Sequence, residues 1–515
     1  MDSERLLTAS PSYFRCVTRL TPARSRRLFK ILNNDEIEKI HAATLDVLEK
    51  VGVRFEDEAV LKLLDESGAD IDRKTGSARL PASLVEEAIR KCPKMVRLCG
   101  RTRDHDLTFG DGRVYFTAGP NALHVHDLET GVRRLPSSED CALLARLYDA
   151  LDNIHAILPG VIPQDVPQGI SDRVKCKISY ENCEKHYLTD VYGRGSAQDL
   201  IEMAAAVAGG LDQLSKRPII SINPSITSPL TWGRDSTDPL LESAKHRVPV
   251  ILDCMPSAGA TSPITLAGSV VQQNAESLSF VTLAQLINVG TPTIPYTSPG
   301  ITNMRTGGVI YGAVEVAIQC AAMAQVYTRY GIPYIATVGL TDSKVLDEQA
   351  AYEKSISVLL TALAGPSMIS TQAGALNSLV DASYEQTVID DEILGMISRA
   401  MSGMRVDDET LAVEIIAKVG PGKHFLSQKH THDLYLKEHY LPKLAERESR
   451  KKWERDGARD IVRKAKDRVR EILRTHQPEP LETHVIKQMD EIVQRAKRSL
   501  ATSRWRTQGA GLSST

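Results

Sequence analysis

The sequence predicts a (β/α)8 TIM barrel, because a single pattern recurs along its central region. In this pattern a helix ends in Gly or a basic residue, and Pro, a short apolar run and a polar loop follow. The prolines lie at positions 218, 249, 292, 333 and 366, between 31 and 43 residues apart. That spacing suits units of one strand and one helix. Gly suits the C-terminus of a helix and Pro the first residue of a strand, so each pattern marks a helix-to-strand junction.

Eight apolar runs carry the predicted strands. They start at residues 114, 154, 187, 219, 250, 293, 334 and 368, and a segment of helical character follows each one. Eight such units close into a barrel, which we place at residues 112–403. The first unit departs from the pattern, because Ala122 to Asp127 and the following Glu129, Thr130 and Gly131 predict a hairpin between strand and helix.

Two helical regions flank the predicted barrel. Residues 31–111 predict an N-terminal cap region of helices and a β-hairpin, and residues 1–30 are expected to be a loosely ordered lead-in. Residues 404–515 predict a charged helical C-terminal extension. We attribute its charge to the solvated face of helices packed on the barrel; an oligomer contact or a docking surface for a partner protein are the alternatives.

The composition is that of an ordinary globular protein. The 515 residues are 42% hydrophobic and 25% charged, and a net charge of -2 gives no electrostatic argument for nucleic acid or a membrane surface. The eight cysteines include no C-x-x-C pair, so we interpret them as buried hydrophobes in a reducing compartment. No apolar run approaches the roughly 20 residues that span a bilayer. Residues 25–30 resemble a twin-arginine signal, but a charged helix start follows them, and we expect a cytoplasmic protein.

In a TIM barrel the functional side chains lie in the loops that follow the strands. At such positions we assign catalytic roles to Asp342, Lys344 and Gln372, which follow the seventh and eighth strands. The predicted substrate-binding residues are Tyr192, Asn223, Trp232, Asp253, Tyr296, Arg305 and Gln349.

Several of these polar residues have simpler interpretations. Loop Asp and Asn residues often cap the next helix, and we expect that role for Asp165, Asp190 and Asn303. Lys344 is equally compatible with an exposed ion pair, which contributes little. Trp232 is equally compatible with ordinary packing.

The remaining motifs exclude several kinds of site and reaction but assign none. His124 with His126, and His430 with His432, have a spacing that two metal ligands use, but no third ligand is evident nearby, and we expect no metal site. The sequence has no G-x-G-x-x-G after a strand, no Walker A motif, no H-E-x-x-H and no G-x-S-x-G. The residues by themselves therefore predict a barrel enzyme that acts on a small polar molecule.

Four longer segments of the sequence indicate more about the function than the short motifs do. The segments Leu45 to Val53, Asp127 to Arg134, Asp165 to Pro167 and Gly339 to Lys344, the last with Asp347 and Gln349 beyond it, together resemble the trimethylamine methyltransferase family. The similarity runs from about residue 32 to about residue 500. The resemblance implies a (β/α)8 protein that moves a methyl group from a methylated amine to the cobalt of a partner corrinoid protein.

The resemblance also narrows the expected substrate. Trimethylamine-specific members carry pyrrolysine, and this sequence has no nonstandard residue, so it resembles the pyrrolysine-free branch, members of which demethylate quaternary amines such as glycine betaine. We expect no cofactor bound tightly by this chain, a corrinoid supplied by a partner protein, and a homo-oligomer.

Physical chemistry adds expectations for the site. A quaternary ammonium already leaves as a neutral amine, so no general acid is needed. We expect an aromatic cage for its methyl groups from Trp232, Tyr296 and Tyr192, worth about 1–2 kcal/mol. Lys344 and Arg305 are the candidates for holding a betaine carboxylate. Two alternatives stand beside this hypothesis: an aldolase or decarboxylase that uses Lys344 as a Schiff base, and a barrel that binds a methylated solute or the corrinoid protein without catalysis.

Overall fold

The computed structural model of the protein describes residues 22–23 and 29–510, and the side chains of its last helix as far as residue 501. Most of the predicted lead-in, including the arginine pair at 26 and 27, lies outside the described residues. No helix among those described is long and apolar enough to cross a membrane.

Eight parallel strands form a closed barrel, which confirms the predicted fold class. In chain order they are β1 Tyr115–Ala118, β2 Ala156–Ile157, β3 His186–Asp190, β4 Ile220–Asn223, β5 Val250–Cys254, β6 Thr293–Thr297, β7 Ile335–Thr337 and β8 Met368–Ala373. Each pairs with the next, and the barrel closes where Met368 of β8 pairs with Tyr115 of β1. Every strand begins within two residues of its predicted start.

One helix returns the chain along the outside of the barrel after each strand. The eight are α1 Ser138–Ala150, α2 Ser171–Asn182, α3 Arg194–Ala208, α4 Arg234–His246, α5 Leu266–Ile287, α6 Val314–Tyr330, α7 Glu348–Ala364 and α8 Tyr384–Ser402. Gly331 and Gly365 end α6 and α7 in the left-handed conformation, with φ of 65° and 85°. A residue without Cβ adopts this conformation easily, which explains why Gly precedes Pro at these junctions.

The residues before the barrel cover its side and close the end at which its strands begin. Helices Asn34–Asp46, Glu58–Glu66 and Ala82–Lys91 form the cap, with a single π-helical turn at Val47–Val51 and short strands Val53–Phe55, Asp70–Asp72 and Ser77–Arg79. A hairpin of Val96–Leu98 and Leu107–Phe109, with a 3-10 turn at Arg103–His105 between them, contributes to the apolar cluster inside the barrel. This cluster also holds Tyr115, Ile251 and Met368, so the amino ends of the strands are plugged.

Short strands lie in the loops at the opposite end of the barrel, where its strands end. His124–His126 pairs with Arg133–Arg134 as the hairpin predicted between β1 and α1, and it lies parallel to Asp381–Ser383. The other short strands of the loops are Ser225–Ile226, Thr231–Trp232, Ser257–Ala258, Gly300–Thr302, Val309–Ile310 and Ala375–Leu376. These loops surround the barrel mouth.

Between α8 and residue 510 the structure shows six further helices, and a short helix, Leu211–Lys216, follows α3. The six are Asp408–Leu411, Val413–Val419, Lys429–Glu438, Arg450–Arg455, Ile461–Thr475 and Thr483–Ala510. Helix Ile461–Thr475 packs on α8 and α1, and the last helix packs on α3 and α2. Val469 and Met489, fully buried, anchor these two helices, while their charged faces point to solvent.

Candidate functional site in the barrel mouth

Side chains that point into a barrel alternate along each strand, and here the inward positions change from apolar to polar towards the mouth. On β5, Ile251 belongs to the interior apolar cluster and Asp253 follows two residues later. Leu188 and Asp190 repeat this order on β3. The resulting polar layer consists of Thr117, Asp190, Asn223, Asp253, Tyr296, Ser298, Thr337, Ser370 and Gln372. A small polar ligand entering from the mouth would meet this layer.

Asp253 is the strongly perturbed acid of this layer. Its side chain accepts a hydrogen bond from Ser298 Oγ, 2.8 Å from Oδ1, and Ser298 Oγ lies 2.7 Å from Thr337 Oγ1. Burial raises the pKa of Asp253 to about 8, the hydrogen bond from Ser298 opposes the shift, and the carboxylate of Asp190 adds to it. At neutral pH the residue is therefore mostly a neutral acid.

Asp190 is held by side chains from three parts of the barrel. Asn121 Nδ2 donates to Oδ2 over 3.0 Å, and Asn223 Nδ2 donates to Oδ1 over 2.8 Å. The buried ammonium of Lys175 donates to Asn121 Oδ1 over 2.8 Å. The side chain of Asn121 thus connects this ammonium to the carboxylate of Asp190. This arrangement corrects the expectation that Asp190 caps a helix, because both carboxylate oxygens are directed at side-chain amides across the mouth.

The Asp190 contact also fixes the amide of Asn223. Its nitrogen must face the carboxylate, so its oxygen points the other way. That oxygen is buried and has no hydrogen-bond partner in the described part of the chain. A ligand donor or a water would satisfy it.

Gln372 forms the other side of the polar layer. Its Nε2 lies 3.2 Å from the hydroxyl of Tyr296 and 3.1 Å from Ser370 Oγ, and Tyr296 itself donates to Ser370 over 3.0 Å. The backbone of Gln372 is left-handed, with φ of 47°, although the residue is not glycine. Such a conformation costs of order 1 kcal/mol and persists where surrounding contacts fix it. Burial raises the pKa of Tyr296, so the Tyr296 hydroxyl stays protonated.

The loop after β7 ties neighbouring loops together. Asp342 accepts hydrogen bonds from the backbone N–H groups of Tyr311 and Gly312, at 3.2 and 3.0 Å, and from the hydroxyl of Ser378. It therefore joins the loops that follow β6, β7 and β8. The structure gives Asp342 this supporting role; a direct part in the reaction stays a prediction.

Two other predicted residues lie in or beside this loop. Lys344 is exposed, and its ammonium donates to the backbone carbonyl of Asp342. Gln349 Nε2 donates to Glu353 Oε1 over 2.9 Å, and Glu353 Oε2 in turn accepts from Thr341 Oγ1 over 2.6 Å. Gln349 thus orients a carboxylate that shapes the loop.

The aromatic residues divide into two groups. Tyr192 is 71% exposed at the rim, yet the pKa of its hydroxyl is raised by partial burial and by Asp190 and Asp253. Burial, Asp253 and Asp342 raise the pKa of Tyr311 to about 12. Tyr192 follows β3 and Tyr311 follows β6, so both belong to the loops that surround the polar layer.

Trp232 does not belong to that group, and its predicted place in an aromatic cage is corrected. Its indole is fully buried and stacks on Phe55 and Phe280, with ring centroids 6.3 and 6.1 Å away, and Nε1 donates to Ser279 over 3.1 Å. Phe280 belongs to α5 on the outside of the barrel, and Phe55 belongs to the N-terminal cap. Trp232 therefore packs between the cap and a barrel helix. The large apolar ring gains more from this dry contact than from a wet rim.

Arg305 is the remaining predicted residue. It lies on an exposed turn between Gly300–Thr302 and Val309–Ile310, where Asn303 Oδ1 accepts from the Arg305 N–H over 3.0 Å. Asn303 therefore shapes a turn and does not cap a helix.

Sequence reasoning missed several residues of the site, namely Thr117, Asn121, Lys175, Ser298, Tyr311, Thr337 and Ser370. Ser298 and Tyr311 follow β6 in the same loop as Arg305, so the strand-end rule alone admits them. Lys175 lies inside α2, and only its contact with Asn121 reveals it.

The histidine pair of His124 and His126 lies beside an acidic residue. His124 and His126 lie 3.8 and 3.6 Å from the carboxylate of Asp381, which also pairs with Arg133. Across residues 22–23 and 29–510, no group of three or more His, Cys, Asp or Glu side chains is placed to hold a metal ion.

Fold and site together define a TIM-barrel protein with a polar mouth of carboxylic acids, amides and tyrosines. Comparison of the sequence with known families identifies the group more closely. Residues 9–501 match the profile of trimethylamine methyltransferase (MTTB). The chain therefore belongs to the trimethylamine methyltransferase family, as its longer segments predicted.

Individual relatives agree with this assignment. The chain is 34% identical over 472 residues to trimethylamine methyltransferase MttB of Desulfitobacterium hafniense, covering 92% of this chain and 95% of that one. It is 33% identical over 460 residues to a glycine betaine methyltransferase of the same species, covering 89% and 95%. The predicted enzyme class, a methyltransferase, is confirmed by these relatives.

A solved structure supports the fold alone. The monomethylamine methyltransferase MtmB of Methanosarcina barkeri superposes with a TM-score of 0.53 at 14% identity, covering 88% of this chain and 89% of that one.

Proposed function

We propose that the protein transfers a methyl group from a quaternary amine of the glycine betaine type to the Co(I) of a corrinoid protein. The observation that carries the proposal is the buried, polar barrel mouth around Asp253 and Asp190 in a chain of this family. The corrinoid protein is a second substrate that reaches the mouth from outside, and we also expect a homo-oligomer in the cytoplasm.

The charge state of the mouth suits a quaternary substrate. As the methyl group leaves, the positive charge on nitrogen disappears, so a fixed anion beside it would stabilise the ground state more than the transition state. Burial raises the pKa of Asp253 to about 8, so this acid is mostly neutral at pH 7. Asp190 spreads its charge over two amide donors. In the free protein the mouth therefore holds no pair of ionised carboxylates, and a bound cation can ionise Asp253 only by displacing its proton.

The side chains of the mouth have separate expected roles. Tyr192 and Tyr311 provide aromatic faces for the methylated nitrogen, in place of the cage that included Trp232. Tyr296 and Gln372 form a hydrogen-bonding floor. Lys344, whose ammonium contacts only a backbone carbonyl among the described residues, is free to turn towards a substrate carboxylate.

Methyl transfer can be measured directly. The protein is incubated with chemically reduced Co(I) cobalamin and, separately, glycine betaine, carnitine, choline and trimethylamine, and methylcobalamin absorbance is followed. We expect formation with at least one quaternary amine and little with trimethylamine. Absence of methyl transfer from every donor, with binding shown by calorimetry, would leave the non-catalytic binder as the better description.

The Schiff-base alternative predicts a different result. Borohydride would trap Lys344 covalently on a carbonyl substrate. Lys344 is exposed on its loop, whereas a Schiff-base lysine is ordinarily desolvated in an apolar pocket. Mass spectrometry after borohydride treatment therefore tests this alternative independently of the methyl-transfer assay.

A further inference from the structure

Residues 404–437 form an arm whose larger apolar side chains are mostly left uncovered by the described part of the chain. Nine of its large hydrophobic residues are exposed: Met404, Val406, Leu411, Val413, Ile416, Phe425, Leu426, Tyr435 and Leu436. Val413 is 68% and Leu426 71% exposed. Exposed apolar side chains concentrated in one segment indicate an interaction surface.

The base of the arm is fixed. The guanidinium of Arg399, in the last turn of α8, donates to the carbonyl of Gly403 over 2.7 Å and to the carbonyl of Glu438 over 2.7 and 3.0 Å. The same side chain thus holds the point where the chain leaves the barrel and the point where it returns. As far as the described residues show, the hydrogen bonds of residues 404–428 stay inside the arm, and Thr431 accounts for one of them by donating to the carbonyl of Phe425.

The position of the arm excludes the barrel mouth as its neighbour. Each barrel helix starts at the mouth and ends at the opposite face, so Ser402 at the end of α8 lies beside the amino ends of the strands. Lys443, a few residues past the arm, pairs with Asp152 just before β2, at 2.8 Å, which places the return of the chain at the same face. A protein that delivers cobalt to the mouth would not contact this surface.

The charge of the arm is divided between its two halves. Residues 404–416 carry four carboxylates and one Arg, a net charge of -3. Residues 417–437 carry four lysines and one Asp, a net charge of +3 with His neutral. The ion pairs of Arg405 with Asp407 and Glu409, and of Lys429 with Asp433, stay inside one half, and none joins the two halves among the residues described.

We propose that this arm binds the same arm of a second copy of the chain, antiparallel and related by a two-fold axis. In a two-fold contact the same surface faces itself, so the acidic half of one arm meets the basic half of the other. The apolar residues of both arms then become buried. An interface of standard size uses about 20 to 30 residues on each side, which an arm of this length supplies. The proposal is independent of the reaction that the barrel catalyses.

Exchange of charges tests the proposal in the full-length protein. One variant, Asp408→Lys with Glu409→Lys and Glu414→Lys, makes the whole arm basic. A second, Lys418→Glu with Lys423→Glu and Lys429→Glu, makes it acidic. We expect each alone to sediment with a smaller mass than the wild type at about 10 μM, a concentration at which an ordinary specific dimer is associated. An equimolar mixture should regain the wild-type mass.

The controls separate this contact from folding defects and from other surfaces. The variant Lys39→Glu with Lys62→Glu and Lys74→Glu changes three exposed lysines of the N-terminal region and should keep the wild-type mass. Circular dichroism and thermal unfolding report whether each variant is folded. Val413→Asp tests the apolar part and should also reduce the mass.

Three results would overturn the proposal. These are a wild-type protein that is monomeric at this concentration, reversed variants that keep the wild-type mass, and a mixture that fails to reassociate although each variant is folded and dissociated. If the wild type is monomeric and added corrinoid protein protects the arm from proteolysis, the corrinoid protein is its occupant.

Discussion

Replacing Asp253 by Asn should remove the pH dependence of cation binding. The buried carboxyl has a pKa of about 8, and a cation in the mouth favours its ionised form. If the cation binds only the ionised form, affinity for glycine betaine rises about 50-fold between pH 6 and pH 8. Binding at pH 7 would release about 0.9 proton. Asp253→Asn should bind with the same affinity at each pH, within about twofold, and release none.

The size of the effect at pH 7 follows from two opposing terms. Ionising a group one pH unit below its pKa costs about 1.4 kcal/mol. A charge pair about 4 Å apart in a protein gains about 4 kcal/mol. The net contribution of Asp253 is then at most about 2.6 kcal/mol, so Asp253→Asn should weaken binding by up to roughly 80-fold.

Isothermal titration calorimetry in two buffers of different ionisation enthalpy measures both affinity and proton release. Asp165→Asn is the matched control, because Asp165 is an exposed residue that accepts from Ser138 at the start of α1. A wild-type affinity that does not change between pH 6 and 8, or an Asp253→Asn protein with the wild-type slope, would refute the reasoning.

Stability provides a second measurement of the same group. The folded pKa of Asp253 is raised, so the folded state keeps a proton that the unfolded chain loses above about pH 4. Its contribution to the free energy of unfolding is therefore fully present below about pH 4 and declines up to about pH 8, by at most about 1.4 kcal/mol per pH unit. Asp253→Asn should show a flatter decline in urea unfolding across that range.

Four further substitutions distinguish residues that bind the substrate from residues that stabilise the fold. Trp232→Ala should lower the free energy of unfolding by about 3–5 kcal/mol in urea titrations but leave the KM for the amine unchanged, because Trp232 packs outside the mouth. Tyr192→Ala should raise that KM by about 5- to 30-fold through loss of an aromatic face worth about 1–2 kcal/mol, with unfolding unaffected. Lys344→Met should raise the KM for glycine betaine several-fold but not the KM for choline, which lacks a carboxylate, and a fall in kcat alone would contradict the assigned role. Asp342→Asn should cost about 1–3 kcal/mol of stability, because it weakens acceptance from two backbone N–H groups, and proteolysis of the loop after β6 should become faster.

The barrel itself was predictable because its signals are local. A Pro after a helix terminus and a run of apolar residues both act within a few positions, and they recur with the period of one strand and one helix. The strand starts and the hairpin between β1 and α1 followed from such patterns. The same rule of loops after strands placed Asn223, Asp253, Tyr296 and Gln372 at the mouth.

What the local patterns left open was the partner of each side chain. Asp190 has the same sequence context whether it caps α3 or faces the mouth, and only the closure of the barrel brings Asn121 and Asn223 to it. Trp232 likewise follows a barrel strand, and its burial depends on Phe55, which lies far away in the sequence. The sequence therefore determined where the strands end and which polar groups they carry. The tertiary structure decided which of those groups meet, because contact between distant residues depends on how the whole chain closes.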